Sequence, residues 1–286
     1  MYHFYRAFLW NGVERGKRPY HTLGNTGLTR YGVILGMNPR QNQRQESTGL
    51  HCVRLVDANA VGKHAALLVA EQLAEKPDSV IVFPTGKTPL PMYATLRDRS
   101  DIDWTQSRLF QLDEYVPPAG AACGSYETFA KFMNRELWSY IPGQKYYIED
   151  YLKNPAEYQR LLGEPDLVIL GIGGNGHVAF NEPGSPPGSG MRIVDLAEQT
   201  LQSNFGDTES GKTHQSVPTQ AMTLGLKNIL QAKHIVLLAT GIGKQAIVRR
   251  AFDPTVPPSV DCPASWLKQH PYITIITDFE LGWGFD

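Results

Sequence analysis

Residues 166–184 read DLVILGIGGNGHVAFNEPG. The first eight, DLVILGIG (166–173), form an unbroken apolar run that ends in glycines. That is the mark of a strand buried on both faces. Polar residues and prolines follow at once, so the strand empties into a loop. The pattern repeats on either side. SVIVFP (79–84), RLFQLDEY (108–115), HIVLLATG (234–241) and YITIITD (272–278) also read as strands. Between them, 58–75 carries apolar residues at helical spacing, and PLPMYATLRD opens a helix with Pro89 at its start. Segments 125–141, 217–232 and 243–252 likewise read as helices, the second opening at Pro218. Strands alternating with helices, each strand a continuous apolar run, specify an α/β fold: an open, mostly parallel twisted sheet with helices on both faces.

The glycines of the opening stretch also spell G-x-G-x-x-G through Gly171, Gly173 and Gly176, with Asp195 nineteen residues on. That invites a dinucleotide-binding reading. The reading fails because a helix must open at the third glycine. Glu182-Pro183-Gly184 and Pro186-Pro187 forbid one. NEPGSPPGSG (181–190) is instead expected to be a functional loop inside the domain.

The chain has 286 residues, 42% hydrophobic and 19% charged, enough for a large core and too apolar for a disordered chain. Its net charge of −1 gives no whole-protein attraction for nucleic acid or an anionic membrane. No apolar run reaches the roughly 18 residues of a membrane span. Cys52, Cys123 and Cys262 are widely spaced and odd in number, which suggests neither disulfides nor a zinc site. A reducing cytoplasm is the expected setting. Residues 1–50 carry seven Lys/Arg against two acids and show no sustained period. They are expected to be a poorly ordered basic extension ahead of a single domain, 51–286.

Ligands of parallel α/β sheets bind outside the carboxyl ends of strands, and four ends here carry unusual residues. PTGKTP (84–89) is a glycine turn into a helix, a cradle for an oxyanion built from Thr85, Gly86, Lys87 and Thr88. An ordinary turn capped by Thr88 accounts for it equally well. LDEY (112–115) ends a strand with Asp113 and Glu114, whose side chains should point apart. One would be a positioned base and the other an anchor, although a solvated loop start explains the pair by itself. Asn175, His177 and Glu182 fall within eight residues. A histidine held by a carboxylate and an amide is an acid–base unit; a buried histidine satisfied by backbone is the plainer alternative. In ATGIGKQA (239–246), Lys244 stands in a first helical turn, against the helix dipole. An anion between them would explain it, as would a solvated surface lysine.

Taken together, PTGKTPLPMY, LDEYVP with SYETF, GIGGNGHVAFNEPG, VPTQAMTLG, ATGIGKQA and PASWLKQH resemble the glucosamine-6-phosphate deaminase family, in the family's order and over roughly 52–286. The family shares its Rossmann-like fold with 6-phosphogluconolactonases. LDEY combined with NGHVAFNEP favours the deaminase branch. The resemblance implies isomerisation and deamination of glucosamine 6-phosphate to fructose 6-phosphate and ammonia, with no metal or organic cofactor. It implies that Asp113 is the base that moves the C2 proton to C1, that His177 assists ring opening, that Glu182 is coupled to His177, and that Asn175 orients it. It also implies that Thr85–Thr88 and Lys244 hold the phosphate. The expected partner is a small amino-sugar phosphate, with no nucleic acid and no membrane, and with the oligomeric state open.

Three departures stand out. Lys87 replaces a residue that is usually small. Leu201 and Gly206 sit near places where well-studied members carry phosphate-reaching arginines. Arg192 matches part of an effector site whose remainder is missing at Val194 and Asp195, so activation by N-acetylglucosamine 6-phosphate is not expected. Two alternatives stay in view: a 6-phosphogluconolactonase or other sugar-phosphate hydrolase, which would share the phosphate cradle and His177 without needing Asp113 as a carbon base, and, because of the weakened arginine loop, a non-catalytic sugar-phosphate sensor.

Overall fold

The computed structural model describes residues 49–118, 126–206 and 217–282. The extension expected over 1–50 lies outside these residues except for Gly49 and Leu50, which already belong to the first strand. Cys123 also lies outside.

The elements run β1 (Gly49–Arg54), α1 (Ala58–Glu75), β2 (Val80–Phe83), α2 (Leu90–Arg97), β3 (Arg108–Gln111), β4 (Asp113–Tyr115), α3 (Phe129–Met133) and β5 (Gln144–Tyr146). They continue through α4 (Pro155–Leu162), β6 (Leu167–Leu170), β7 (Arg192–Asp195), α5 (Glu198–Phe205) and β8 (Gln220–Thr223). The last are α6 (Leu226–Leu230), β9 (His234–Ala239), α7 (Gln245–Phe252) and β10 (Tyr272–Thr277). Seven strands make one sheet in the order β1-β10-β9-β6-β2-β3-β5, every pair parallel. The open, parallel α/β sheet expected from the sequence is the one observed.

Alternation along the strands builds two cores. Val80, Val82, Phe110, Val168, Leu170, Ile235 and Leu237 face one side, with Tyr158 and Leu162 of α4 and Val248 and Phe252 of α7. Ile81, Phe83, Leu109, Ile169, Val236 and Leu238 face the other, under Val61 and Val69 of α1 and Met92 and Leu96 of α2. Each such side chain withdrawn from water contributes about 1.5–3 kcal/mol. Asp57 caps α1 by accepting from the Ala60 amide at 2.7 Å. Gly62 lets α1 lie against the start of α2, because a Cβ there would stand 2.5 Å from Pro91.

Three expectations need correction. RLFQLDEY is not one strand. Gln111 still pairs with Phe83, but Asp113 pairs with Thr223 in a second sheet, β4-β8-β7, which is antiparallel. The chain changes sheets at Leu112, which donates to the Phe83 carbonyl and accepts from the Leu224 amide. Residues 217–232 are not one helix. Gln220–Thr223 is β8, and α6 begins only after Gly225. The Gly225 Cα presses on the Ser189 and Gly190 carbonyls, where a Cβ would come within 2.0–2.3 Å. The preceding residues serve β4 and β7 as a central strand. Third, residues 125–141 hold only the short α3, capped by Thr128, and a widened turn over Asn134–Trp138. There the Ser139 amide reaches back five residues to the Asn134 carbonyl.

Candidate active site

From β2 the chain moves outward to β3 and β5, then returns to place β6 on the other side of β2. Such a reversal is the switch point of an open α/β sheet, here at the carboxyl ends of β2 and β6. The turn 84–89 leaves β2 there, and the glycine loop leaves β6. The strands on either side, β3 and β9, deliver Asp113 and Lys244 to the same edge of the sheet.

The β2–α2 turn is fixed from below by the Tyr93 hydroxyl, which donates to the Pro84 carbonyl. Gly86 has φ +97°, and Gly86 and Lys87 are exposed. Among the described residues no acceptor takes the amides of Gly86, Lys87 or Thr88. Lys244 closes a tight turn before α7, and its Nζ donates to the Ile172 carbonyl at 2.8 Å. Burial pushes its pKa down, and no carboxylate among the described residues pairs with it. The half-buried ammonium thus rests on the carbonyl just past Gly171, with no carboxylate counter-ion among the described residues.

The loop after β6 folds on itself. The Gly173 amide donates to the His177 carbonyl, and the Gly176 amide donates to the Gly173 carbonyl. The His177 ring lies flat on Gly173, where a Cβ would sit 2.3–2.5 Å from three ring atoms. Asn175 works in two directions. Its Oδ1 accepts from the His177 amide at 3.1 Å, and its Nδ2 donates to Glu182 Oε2 at 2.7 Å. His177 Nδ1 stands 3.2 Å from that same oxygen. This is ion-pair range, without an aligned hydrogen bond. Burial would raise the Glu182 pKa, but His177, Thr200 and Asn175 together hold it down at about 2. The carboxylate is therefore ionised and held by Asn175 and Thr200, with His177 Nδ1 facing it.

Asp113 reaches this region because the chain changes sheets at Leu112. Its side chain is buried, and Oδ1 has no donor among the described residues. Burial, and next the neighbouring charge of Glu114, push its pKa up to about 8. Glu114 turns the other way and accepts from the Tyr115, Phe129 and Ala130 amides. Thr223, the register partner of Asp113, also accepts from the Phe180 amide at 3.1 Å. One residue thus ties the base-bearing strand to the loop that carries His177 and Glu182.

The departures noted in the sequence acquire physical reasons. Leu201 packs with Tyr115, Phe180 and Phe205 in an aromatic cluster. Gly206 ends α5 with φ +72°. Arg192 is half-buried and engaged within the protein, donating to Asn181 Oδ1 at 2.9 Å and Ser185 Oγ at 3.0 Å. Thr200 and Thr223 were missed from the sequence. They lie 18 and 41 residues from Glu182, and no spacing rule connects them. Among the described residues no group of three or more His, Cys, Asp or Glu is placed to hold a metal. No helix among them is long and apolar enough to cross a membrane.

A buried carboxylate of raised pKa, a histidine facing an ionised glutamate and a half-buried lysine at the switch point of a parallel sheet make this an α/β protein whose titratable groups gather at the carboxyl ends of the strands. The family model for glucosamine-6-phosphate isomerases/6-phosphogluconolactonase matches residues 56–275, and the chain belongs to that family. The glucosamine-6-phosphate deaminase of Bacillus pumilus is 36% identical over 82% of this chain and 99% of its own length. That of Streptococcus gordonii is 38% identical over 80% and 96%. The solved structure of a monomeric glucosamine-6-phosphate deaminase superposes with a TM-score of 0.68 at 29% identity, covering 82% of this chain and 98% of the other. The 6-phosphogluconolactonase of Trypanosoma brucei shares the fold, with a TM-score of 0.61 at 16% identity over 80% of this chain and 97% of that one.

Proposed function

We propose that this chain converts glucosamine 6-phosphate and water to fructose 6-phosphate and ammonia. Asp113 carries the reading. A lactonase has no use for a carbon base, whereas aldose–ketose isomerisation needs one beside C2. A buried carboxylate of raised basicity, with one oxygen free, suits that task. The 35–38% identical relatives named glucosamine-6-phosphate deaminase support the same substrate.

In this mechanism the 6-phosphate lies on the Thr85, Gly86, Lys87, Thr88 turn and against Lys244. The non-reacting end of the substrate is thereby anchored and C1–C2 is oriented. His177, held by Glu182 and Asn175, moves a proton between the ring oxygen and the C1 hydroxyl, and the pyranose opens to an aldehyde. The open carbonyl acidifies C2–H. Asp113 takes that proton and returns it to C1, a proton passes from the C2 ammonium to the C1 oxygen, and C1 becomes CH2OH beside an imine, as its iminium, at C2. Water adds to the imine, and the C2–N bond breaks to release ammonia. A positioned base of this kind contributes about 10²–10⁴-fold. A reducing cytoplasmic setting suits the free thiol of Cys262.

The test is ammonia release from glucosamine 6-phosphate and galactosamine 6-phosphate, with 6-phosphogluconolactone hydrolysis as control. Ammonia from an amino sugar, lost in Asp113→Asn with ligand binding retained, is the expected result. Lactone hydrolysis alone would favour the lactonase reading. Binding without turnover would favour a sensor.

A further inference from the structure

Glu182 has two oxygens, and only one is explained by the loop that carries it. Oε2 takes the Asn175 amide and faces His177. Oε1 takes the hydroxyl of Thr200, which lies in the first turn of α5, outside that loop. Thr200 is 4% exposed, and its amide donates to the Ala197 carbonyl, so the side chain is aimed inward by the helix start. The same helix sends Leu201 and Phe205 into the aromatic cluster around Tyr115, two residues from Asp113. α5 therefore touches both halves of the acid–base machinery: the carboxylate behind His177 and the strand of Asp113.

We infer that Thr200 is a positioning residue that holds the Glu182 carboxylate toward His177, so that α5 sets the geometry of the ring-opening pair. A carboxylate with one oxygen engaged can rotate about its last torsion; one with both oxygens engaged cannot. Thr200 also supplies one of the three contacts that keep Glu182 ionised despite its burial. His177 is the titratable group facing it from its own loop, and Glu198, two residues before Thr200 on α5, is exposed. The inference rests on the deaminase reading for its kinetic arm and on geometry alone for its spectroscopic arm.

The experiment compares wild type, Thr200→Val and Thr200→Ser. Valine keeps the shape and removes the donor; serine keeps the donor. In Thr200→Val, kcat for ammonia release should fall about tenfold with KM unchanged, and the Glu182 titration should move up by about one pH unit, the size expected for losing one hydrogen bond to a charged group. Thr200→Ser should restore both. With 13C-labelled glutamate, the Glu182 carboxyl titration should rise in Thr200→Val and return in Thr200→Ser. An unchanged Glu182 titration in Thr200→Val overturns the inference. So does a Thr200→Ser protein that folds, by thermal melt, yet behaves like Thr200→Val. A wild type that releases no ammonia while its Glu182 titration responds as stated defeats the deaminase reading and leaves Thr200 its positioning role.

Discussion

Replacing Asp113 by asparagine should cost the protein its activity and increase its stability. In the unfolded chain this carboxyl titrates near 3.8; in the folded chain its pKa is about 8. Between those values the native state binds more protons than the unfolded one, so stability falls as pH rises from about 4 and levels off above about 8. At pH 7 the difference amounts to about 4 kcal/mol, at about 1.36 kcal/mol per pH unit. Asparagine removes that penalty but remains a buried polar group short of a partner, which returns about 1–3 kcal/mol. The expected net gain is about 2 kcal/mol at pH 7, or about 4–8 °C in Tm, vanishing near about pH 5 and turning into a small loss below it. The assay is thermal or urea unfolding of wild type and Asp113→Asn from pH 4 to 9. A variant equally stable at every pH, or one that loses stability as pH rises, would refute the claim that the base is held at an electrostatic cost to the fold.

The same raised pKa predicts that kcat/KM, which reports the free enzyme, climbs with pH through the neutral range and flattens near pH 8 in a steady-state profile. Gly173→Ala should push the His177 ring off its seat and lower kcat at least about tenfold, because the new Cβ has no room. Circular dichroism should show the fold intact. Lys244→Met should raise KM about tenfold with little change in kcat, and should weaken inhibition by inorganic phosphate in parallel, since the cation binds the non-reacting end.

Local pattern determined a great deal here. Five apolar runs with helical segments between them specify a parallel sheet covered on both faces. Glycine, proline and charged residues clustered after β2, β3, β6 and β9 mark the edge to which the proposed site is assigned. Asn175, His177 and Glu182 are close enough in sequence that one loop gathers them. What only the tertiary structure decided depends on partners far along the chain. Leu112 looks like the middle of a strand, and nothing local says that hydrogen bonds to Phe83 on one side and Leu224 on the other will split it between two sheets. Residues 220–223 have a helical look that is overridden because β4 and β7 both need a strand between them. The hydroxyl of Thr200 meets Glu182 through a helix 18 residues on. Apolar periodicity is written within a few turns of chain and can be read there. Register, strand order and the second oxygen of a buried carboxylate are settled by contacts between distant segments, and those contacts place Asp113 and fix Glu182.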